Sequence, residues 1–241
     1  GDAMKPFGGK ITWLGHAAFL LESPGGTRIA VDPWLGNNPK FPKGFEYGRL
    51  DAVCATHGHF DHFGDDGIAL AKASGATIIG IFELALHCEA AGAPRVSGMN
   101  KGGRQSVGGV SIRMTHAVHS SGTSGAGRER NFPGDPCGYV FTFEDGLCVY
   151  HAGDTAAFSD MALIRELDHP DLALLPIGGF YTMDPPAAAL ACGLLGVEAV
   201  LPMHWGTFPA LAGTPAQLRE ELSKRGLSTE VVELAPGRTW P

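Results

Sequence analysis

A chain of 241 residues, 44% hydrophobic and with a formal net charge of −7, can bury a full core and suits one domain of the larger α/β kind over 1–241. No apolar run is long enough to cross a bilayer and no stretch concentrates lysine or arginine, so neither a membrane nor a nucleic acid is expected as partner. The first residues lack the charged and apolar blocks of a secretory signal, and the five cysteines are scattered without metal-ligand spacing and read as small core residues; the cytoplasm is the expected compartment.

Short apolar segments parted by glycine-containing turns predict strands over 10–14, 17–22, 27–31 and 51–56. A helix is expected over 65–74, where Ile68, Leu70, Ala71 and Ala73 form an apolar stripe, then a strand over 76–81 and a helix over 83–91 ended by Gly92. Strands resume over 106–107, 110–117, 138–143 and 147–151. The second half continues with a helix over 161–167, a buried strand over 172–175, a helix opened by Asp184-Pro185-Pro186 and a strand over 199–201. Thr214 then caps a helix over 214–225, and 230–234 reads as a final strand. Two similar halves with helices outside the strands predict mixed α/β layering. The irregular segments 36–49 and 120–136 leave strands that carry polar residues, and both are expected to face a substrate.

The densest chemistry lies in Thr56-His57-Gly58-His59-Phe60-Asp61-His62, three imidazoles and a carboxylate directly after an apolar strand. These are the ligands a borderline cation such as zinc prefers, and a core would reject them unpaired. This His-x-His-x-Asp-His pattern resembles the signature of the metallo-β-lactamase superfamily. Ala117-Val118-His119-Ser120, His151-Ala152-Gly153-Asp154-Thr155 and Pro202-Met203-His204-Trp205 follow in that superfamily's order. Trp13-Leu14-Gly15-His16-Ala17-Ala18-Phe19 with Val31-Asp32-Pro33 looks like its opening hairpin. The segments 152–161 and 174–179 are most similar to stand-alone metal-dependent hydrolases resembling ascorbate-6-phosphate lactonase.

The resemblance implies a four-layer αββα sandwich and a dinuclear metal site. His57, His59 and His119 would form one half, Asp61, His62 and His204 the other, with Asp154 bridging and Thr155 helping to hold it. Two divalent cations, zinc first and manganese, iron or nickel as alternatives, would share a water and lower its pKa towards neutrality. Asp61 and His204 are assigned to catalysis as well as to the metals, Asp61 orienting the water or shuttling its proton. His116 competes with His119 for one ligand position: three apart in an extended strand they face opposite sides of the sheet, so only one can point at the metals, and the resemblance favours His119. Asp32, His16 and His151 are candidates for orienting the ligands or meeting the substrate, and Arg128 and Arg130 are candidate anion contacts. Asp65 and Asp66 read as helix-start residues and no more, and His87 and His169 as non-functional.

The expected activity is hydrolysis of a small polar or anionic metabolite, a lactone, ester or phosphoester; a homo-oligomer stays open. The rivals are a phosphodiesterase acting on nucleotides and a di-iron redox protein on the same fold. Redox relatives typically carry glutamate where this chain has His59, which favours hydrolysis.

Overall fold

The computed structural model describes residues 4–124 and 130–241. In the first sheet β1 (Lys10–Trp13), β2 (Phe19–Glu22) and β3 (Arg28–Val31) pair antiparallel, and β4 (Ala52–Cys54), β5 (Thr77–Ile81) and β6 (Val96–Met99) continue it in parallel. The crossovers are α1 (Gly64–Ser74) and α2 (Phe82–Ala90), which bury Ile68, Ala71, Leu84 and Cys88. Because helices cover one face and the second sheet the other, β4 and β5 read as unbroken apolar runs rather than alternating ones.

The second sheet repeats the plan. β7 (Arg104–Val107) and β8 (Val110–His116) are followed by a small hairpin, β9 (Thr123–Ser124) with β10 (Arg130–Asn131). β11 (Cys137–Thr142) and β12 (Cys148–His151) extend the antiparallel part, and β13 (Leu172–Pro176), β14 (Ala199–Met203) and β15 (Glu230–Val231) add in parallel. The helices α3 (Met161–Asp168), α4 (Pro185–Leu195) and α5 (Pro215–Lys224) lie on the outer face. Strand periodicity divides the core: Tyr139 and Phe141 join Ile112, Met114 and the first sheet, whereas Val140 and Tyr150 join Ala188, Leu195 and Leu218 from the helices. This is the expected αββα sandwich.

Three details differ from the expectation. The last strand stops at Val231, and the chain turns through Gly237, whose N–H donates to the Trp13 carbonyl (2.7 Å), into β16 (Thr239–Trp240). That strand pairs antiparallel with β1, so the C-terminal end closes the first sheet. Residues 96–99 form an edge strand that the half-polar sequence Val-Ser-Gly-Met does not announce. The segment 120–136 contains the β9–β10 hairpin. All five cysteines are buried and unpaired, and burial pushes their thiols up, Cys88, Cys137, Cys148 and Cys192 to about 12. Among the described residues no helix is long and apolar enough to cross a membrane.

Candidate metal centre

The sandwich delivers its polar residues to one edge, where six strands run out. His16 follows β1, Asp32 follows β3, residues 57–62 follow β4, His119 follows β8, Asp154 follows β12 and His204 follows β14. Several of these turns are tight. His16, Asp32 and His204 have left-handed backbones, with φ of 55°, 46° and 56°. Between the first two histidines, a Cβ on Gly58 would come within 2.9 Å of Pro133 and 3.0 Å of Thr123, so the base of the β9–β10 hairpin clamps this turn.

Asp154 lies at the middle of the cluster. Its Oδ2 is 3.0 Å from His62 Nε2, 3.2 Å from His204 Nε2, 3.4 Å from His119 Nε2 and 3.8 Å from His57 Nε2. On one side His57, His59 and His119 bring ring nitrogens within 4.8 Å of one another, with His57 Nε2 3.0 Å from His59 Nδ1. On the other side Asp61, His62 and His204 do the same, joined by His16. His62 Nε2, both ring nitrogens of His204 and Asp154 Oδ1 are buried with no hydrogen-bond partner. Buried polar atoms left without partners are rare and costly. Imidazole and carboxylate atoms converging in this way fit a divalent cation, which would satisfy them.

A layer of hydrogen bonds sets the tautomers behind the cluster. Asp32 is fully buried. Its Oδ1 accepts from Thr56 N (2.8 Å) and its Oδ2 from Thr56 Oγ1 (2.6 Å) and His62 Nδ1 (2.8 Å). Because the Thr56 hydroxyl proton is spent on Asp32, Thr56 Oγ1 accepts from His57 Nδ1 (2.9 Å). In the neutral form that a metal takes, both imidazoles therefore carry their proton on Nδ1 and turn Nε2 towards Asp154. This is the usual way a carboxylate orients a metal-bound histidine. His151 does similar work on the backbone: its Nε2 donates to the Ala17 carbonyl (3.2 Å) and its Nδ1 accepts from Gly153 N (3.1 Å), joining the opening hairpin to the turn of Asp154.

His16 is fully buried, with Nε2 3.0 Å from Asp61 Oδ2 and Nδ1 2.8 Å from Thr207 Oγ1. Its carbonyl accepts from His204 N (3.0 Å) and from Trp13 Nε1 (2.9 Å). One residue thus holds both the side chain of Asp61 and the backbone of His204.

The charges are mutually dependent. Burial drives His57, His59 and His119 towards neutrality, with the neighbouring imidazoles adding to it, and neutral imidazole is the form a metal takes. Burial opposes a charge on His62 as well, but Asp154, Asp61 and Asp32 outweigh it and raise its pKa well above the ordinary value. Against its own burial, Asp154 is held ionised by His204 and His62, and Asp61 by His62 and His16. The arrangement favours positive charge at its centre.

The structure brings His57, His59, Asp61, His62, His119, Asp154 and His204 together and leaves His116 outside. β8 ends at His116, so 117–119 are loop, and the strand alternation expected to separate the two histidines plays no part. The His116 ring is exposed beside Lys101 Nζ (3.2 Å) and Phe158. Thr155 holds a different group from the one expected: its Oγ1 accepts from Val118 N (3.0 Å), and Ala156 N donates to Val118 O (3.0 Å), which fixes the segment of His119 beside that of Asp154. Asp66 is more than a helix-start residue, since its Oδ2 accepts from the N–H of Leu35 (2.7 Å) and Gly36 (2.8 Å).

Segment 36–49 does not line the cleft at the cluster; Phe41, Phe45 and Tyr47 stack on one another instead. From 120–136, Ser120 lines it. Arg128 lies outside the described residues, and of Arg130 only the backbone is described. Thr56 and Thr207 are the orienting residues that sequence reasoning passed over, because a single hydroxyl carries no pattern.

The profile described as "Beta-lactamase superfamily domain" matches residues 10–204. A UPF0173 metal-dependent hydrolase of Solibacter usitatus is 49% identical over 229 residues, covering 95% of this chain and 98% of that protein. Igni18, a metallo hydrolase from the hyperthermophilic archaeon Ignicoccus hospitalis, superposes with a TM-score of 0.84 at 37% identity, covering 96% of this chain and 97% of the other. CmlA, a diiron β-hydroxylase from Streptomyces venezuelae, shares the fold alone, at 15% identity and a TM-score of 0.73, with 98% of this chain and 54% of that chain covered. The same layered sandwich, the cluster of imidazoles and carboxylates on its edge and the near full-length similarity agree: the chain belongs to the beta-lactamase superfamily and, within it, to the UPF0173 metal-dependent hydrolases.

Proposed function

We propose that the protein hydrolyses a lactone, ester or phosphoester of a small metabolite at a dinuclear centre. The observation that carries this reading is Asp154 Oδ2, within 3.8 Å of four imidazole Nε2 atoms from four separate positions. Seven ligands exceed what one four- or five-coordinate ion uses. His57, His59 and His119 would hold one cation, Asp61, His62 and His204 the other, and Asp154 both. Two divalent cations, zinc first, with manganese, iron or nickel as alternatives, supply electrophilic activation of water and of the scissile centre when bound.

The chain's own groups do the rest. His204 lines the cleft beside Asp61 and Asp154 and keeps the reacting centre against them. Among the clustered carboxylates Asp61 is the more exposed, at 15% against 3% for Asp154, and it is kept ionised. It is therefore a weak base and is placed to orient water in the cleft by accepting its hydrogen bond. His16 fixes the Asp61 oxygen that is not free for this task. We assign the protein to the cytoplasm, since five unpaired thiols fit a reducing compartment, and the net charge of −7 favours a small-molecule substrate over nucleic acid.

The test is elemental analysis of chelator-free protein together with a panel of lactones, esters and phosphodiesters. Close to two ions per chain and turnover within the panel are expected. Saturation at one ion would overturn the dinuclear assignment.

A further inference from the structure

The cleft in front of the cluster, of about 770 Å³, has two unlike walls. One is the ligand set. The other consists of Phe60, Tyr181, Phe208, Pro209 and Ala210. Phe60 is 59% exposed and Tyr181 58%, and the adjoining Phe180 is 79% exposed. A group of aromatic faces left open to water around a concave polar site marks a binding surface.

This wall is braced. Phe60 and Phe208 both rest on Trp34, at ring separations of 5.8 and 5.9 Å, and Phe208 also meets His16 at 5.8 Å. Tyr181 sits in a tight turn, its N–H donating to Gly179 O (2.7 Å) while Gly179 N donates to Met183 O (2.9 Å). Met183 N in turn donates to Thr155 O (3.2 Å), so the turn is tied to the residue after Asp154. Phe180 holds a left-handed backbone, φ 61°, and sets its ring edge-on to Tyr181 at 4.7 Å. An aromatic residue in that conformation is strained, and strain of this kind gathers at ligand sites.

We propose that the substrate carries a neutral apolar group, aryl or branched alkyl, next to the hydrolysed bond, and that Phe60, Tyr181 and Phe208 select it. The inference rests on the hydrolytic reading of the ligand cluster. The occupant is a small molecule and not a second copy of the chain, because the aromatics line the same cavity as the ligands and its volume suits a ligand of modest size. The polar head meets the ligand cluster while the apolar group lies on the aromatic wall. In the reaction a water oxygen bonds to the acyl or phosphoryl centre, the bond to the leaving oxygen breaks, and that oxygen takes up a proton from water. One missing methylene in an apolar pocket changes discrimination by about 10–200-fold, so loss of a whole aryl group should be readily measured.

The test compares benzylphosphonate with methylphosphonate, two ligands with the same head, by titration calorimetry on the full chain loaded with zinc and of measured metal content. At least about tenfold tighter binding of benzylphosphonate is expected, by the same discrimination. Tyr181→Ala and Phe60→Ala, both at exposed positions, should remove most of that advantage and leave methylphosphonate binding and metal content unchanged. Equal affinity for the two ligands, binding of neither by metal-loaded protein, or an equal loss for both in the variants would overturn the proposal while the metal centre stands. A chain that takes up no ion would overturn the hydrolytic reading, and this one with it.

Discussion

Asp32→Asn tests the hydrogen-bond logic behind His57 and His62 with a change of one atom. The carboxylate accepts from Thr56 N, Thr56 Oγ1 and His62 Nδ1, whereas an amide of the same shape has one accepting oxygen. If the amide nitrogen takes the place of Oδ1, it faces the Thr56 N–H donor to donor. If it takes the place of Oδ2, Thr56 Oγ1 must turn its proton on His57 Nδ1, and both imidazoles must then carry their protons on Nε2, facing Asp154. The first orientation leaves a buried donor unsatisfied, which costs about 1–3 kcal/mol. For a chain of this size that is a fall of roughly 2–12 °C in Tm, at about 2–4 °C per kcal/mol. The second keeps more of the fold and loses the ligands. In both, the charge behind His62 is gone, and metal affinity should fall by about 10–100-fold. Thermal scans of chelated protein and competition titration against a chromophoric chelator separate the two. A variant that matched the wild type in both Tm and ion affinity would refute this account of the tautomers.

His119→Ala should empty or loosen one metal position and abolish hydrolysis, while His116→Ala keeps two ions and most activity; elemental analysis and turnover on the two variants check this, and a metal-poor His116→Ala would reverse the assignment. Asp154→Ala should weaken both ions and leave circular dichroism near that of the wild type; a mere turn cap would cost about 0.5–2 kcal/mol of stability and spare the metals. In metal-free protein, burial and the neighbouring His204 lower the pKa of His16 to about 4, partly offset by Asp61. The unfolded chain takes up this proton near pH 6.5, so the contribution of His16 is fully present above that pH and is lost as pH falls towards about 4. The gap amounts to about 3 kcal/mol at 1.36 kcal/mol per pH unit, and urea melts should show a shallower acid loss in His16→Gln than in the wild type. Equal acid loss in the two proteins would count against it.

The clustering of the histidines with Asp61 and Asp154 was legible because these residues lie close together in a run, or immediately after apolar strands, where a polar side chain has no packing reason to be. Asp32 and His151 were legible as candidates but not in their roles, since whether a buried group orients a ligand or a backbone turn depends on partners far off in the chain. Thr56, Thr207 and the aromatic wall left no trace: a hydroxyl or a phenyl ring acquires its role from what faces it. The final strand was misjudged because pairing of 239–240 with β1 is a long-range event that a two-residue segment cannot signal. Segment 36–49 was expected at the site because it is long, irregular and leaves a strand that carries polar residues, but its aromatics satisfy one another.

Among the described residues, four of the five non-glycine residues with left-handed backbones, His16, Asp32, Phe180 and His204, stand at the histidine and carboxylate cluster or at its mouth. Each carries a backbone penalty of about 1–2 kcal/mol that glycine would not. At exposed Phe180 selection for thermal stability alone would therefore favour glycine and strip a ring from the mouth of the cleft, whereas buried His16 and Asp32 repay the penalty through the partners their side chains hold. Directed evolution of this scaffold needs a metal-dependent readout in every round, because its least comfortable residues are the ones that define its chemistry.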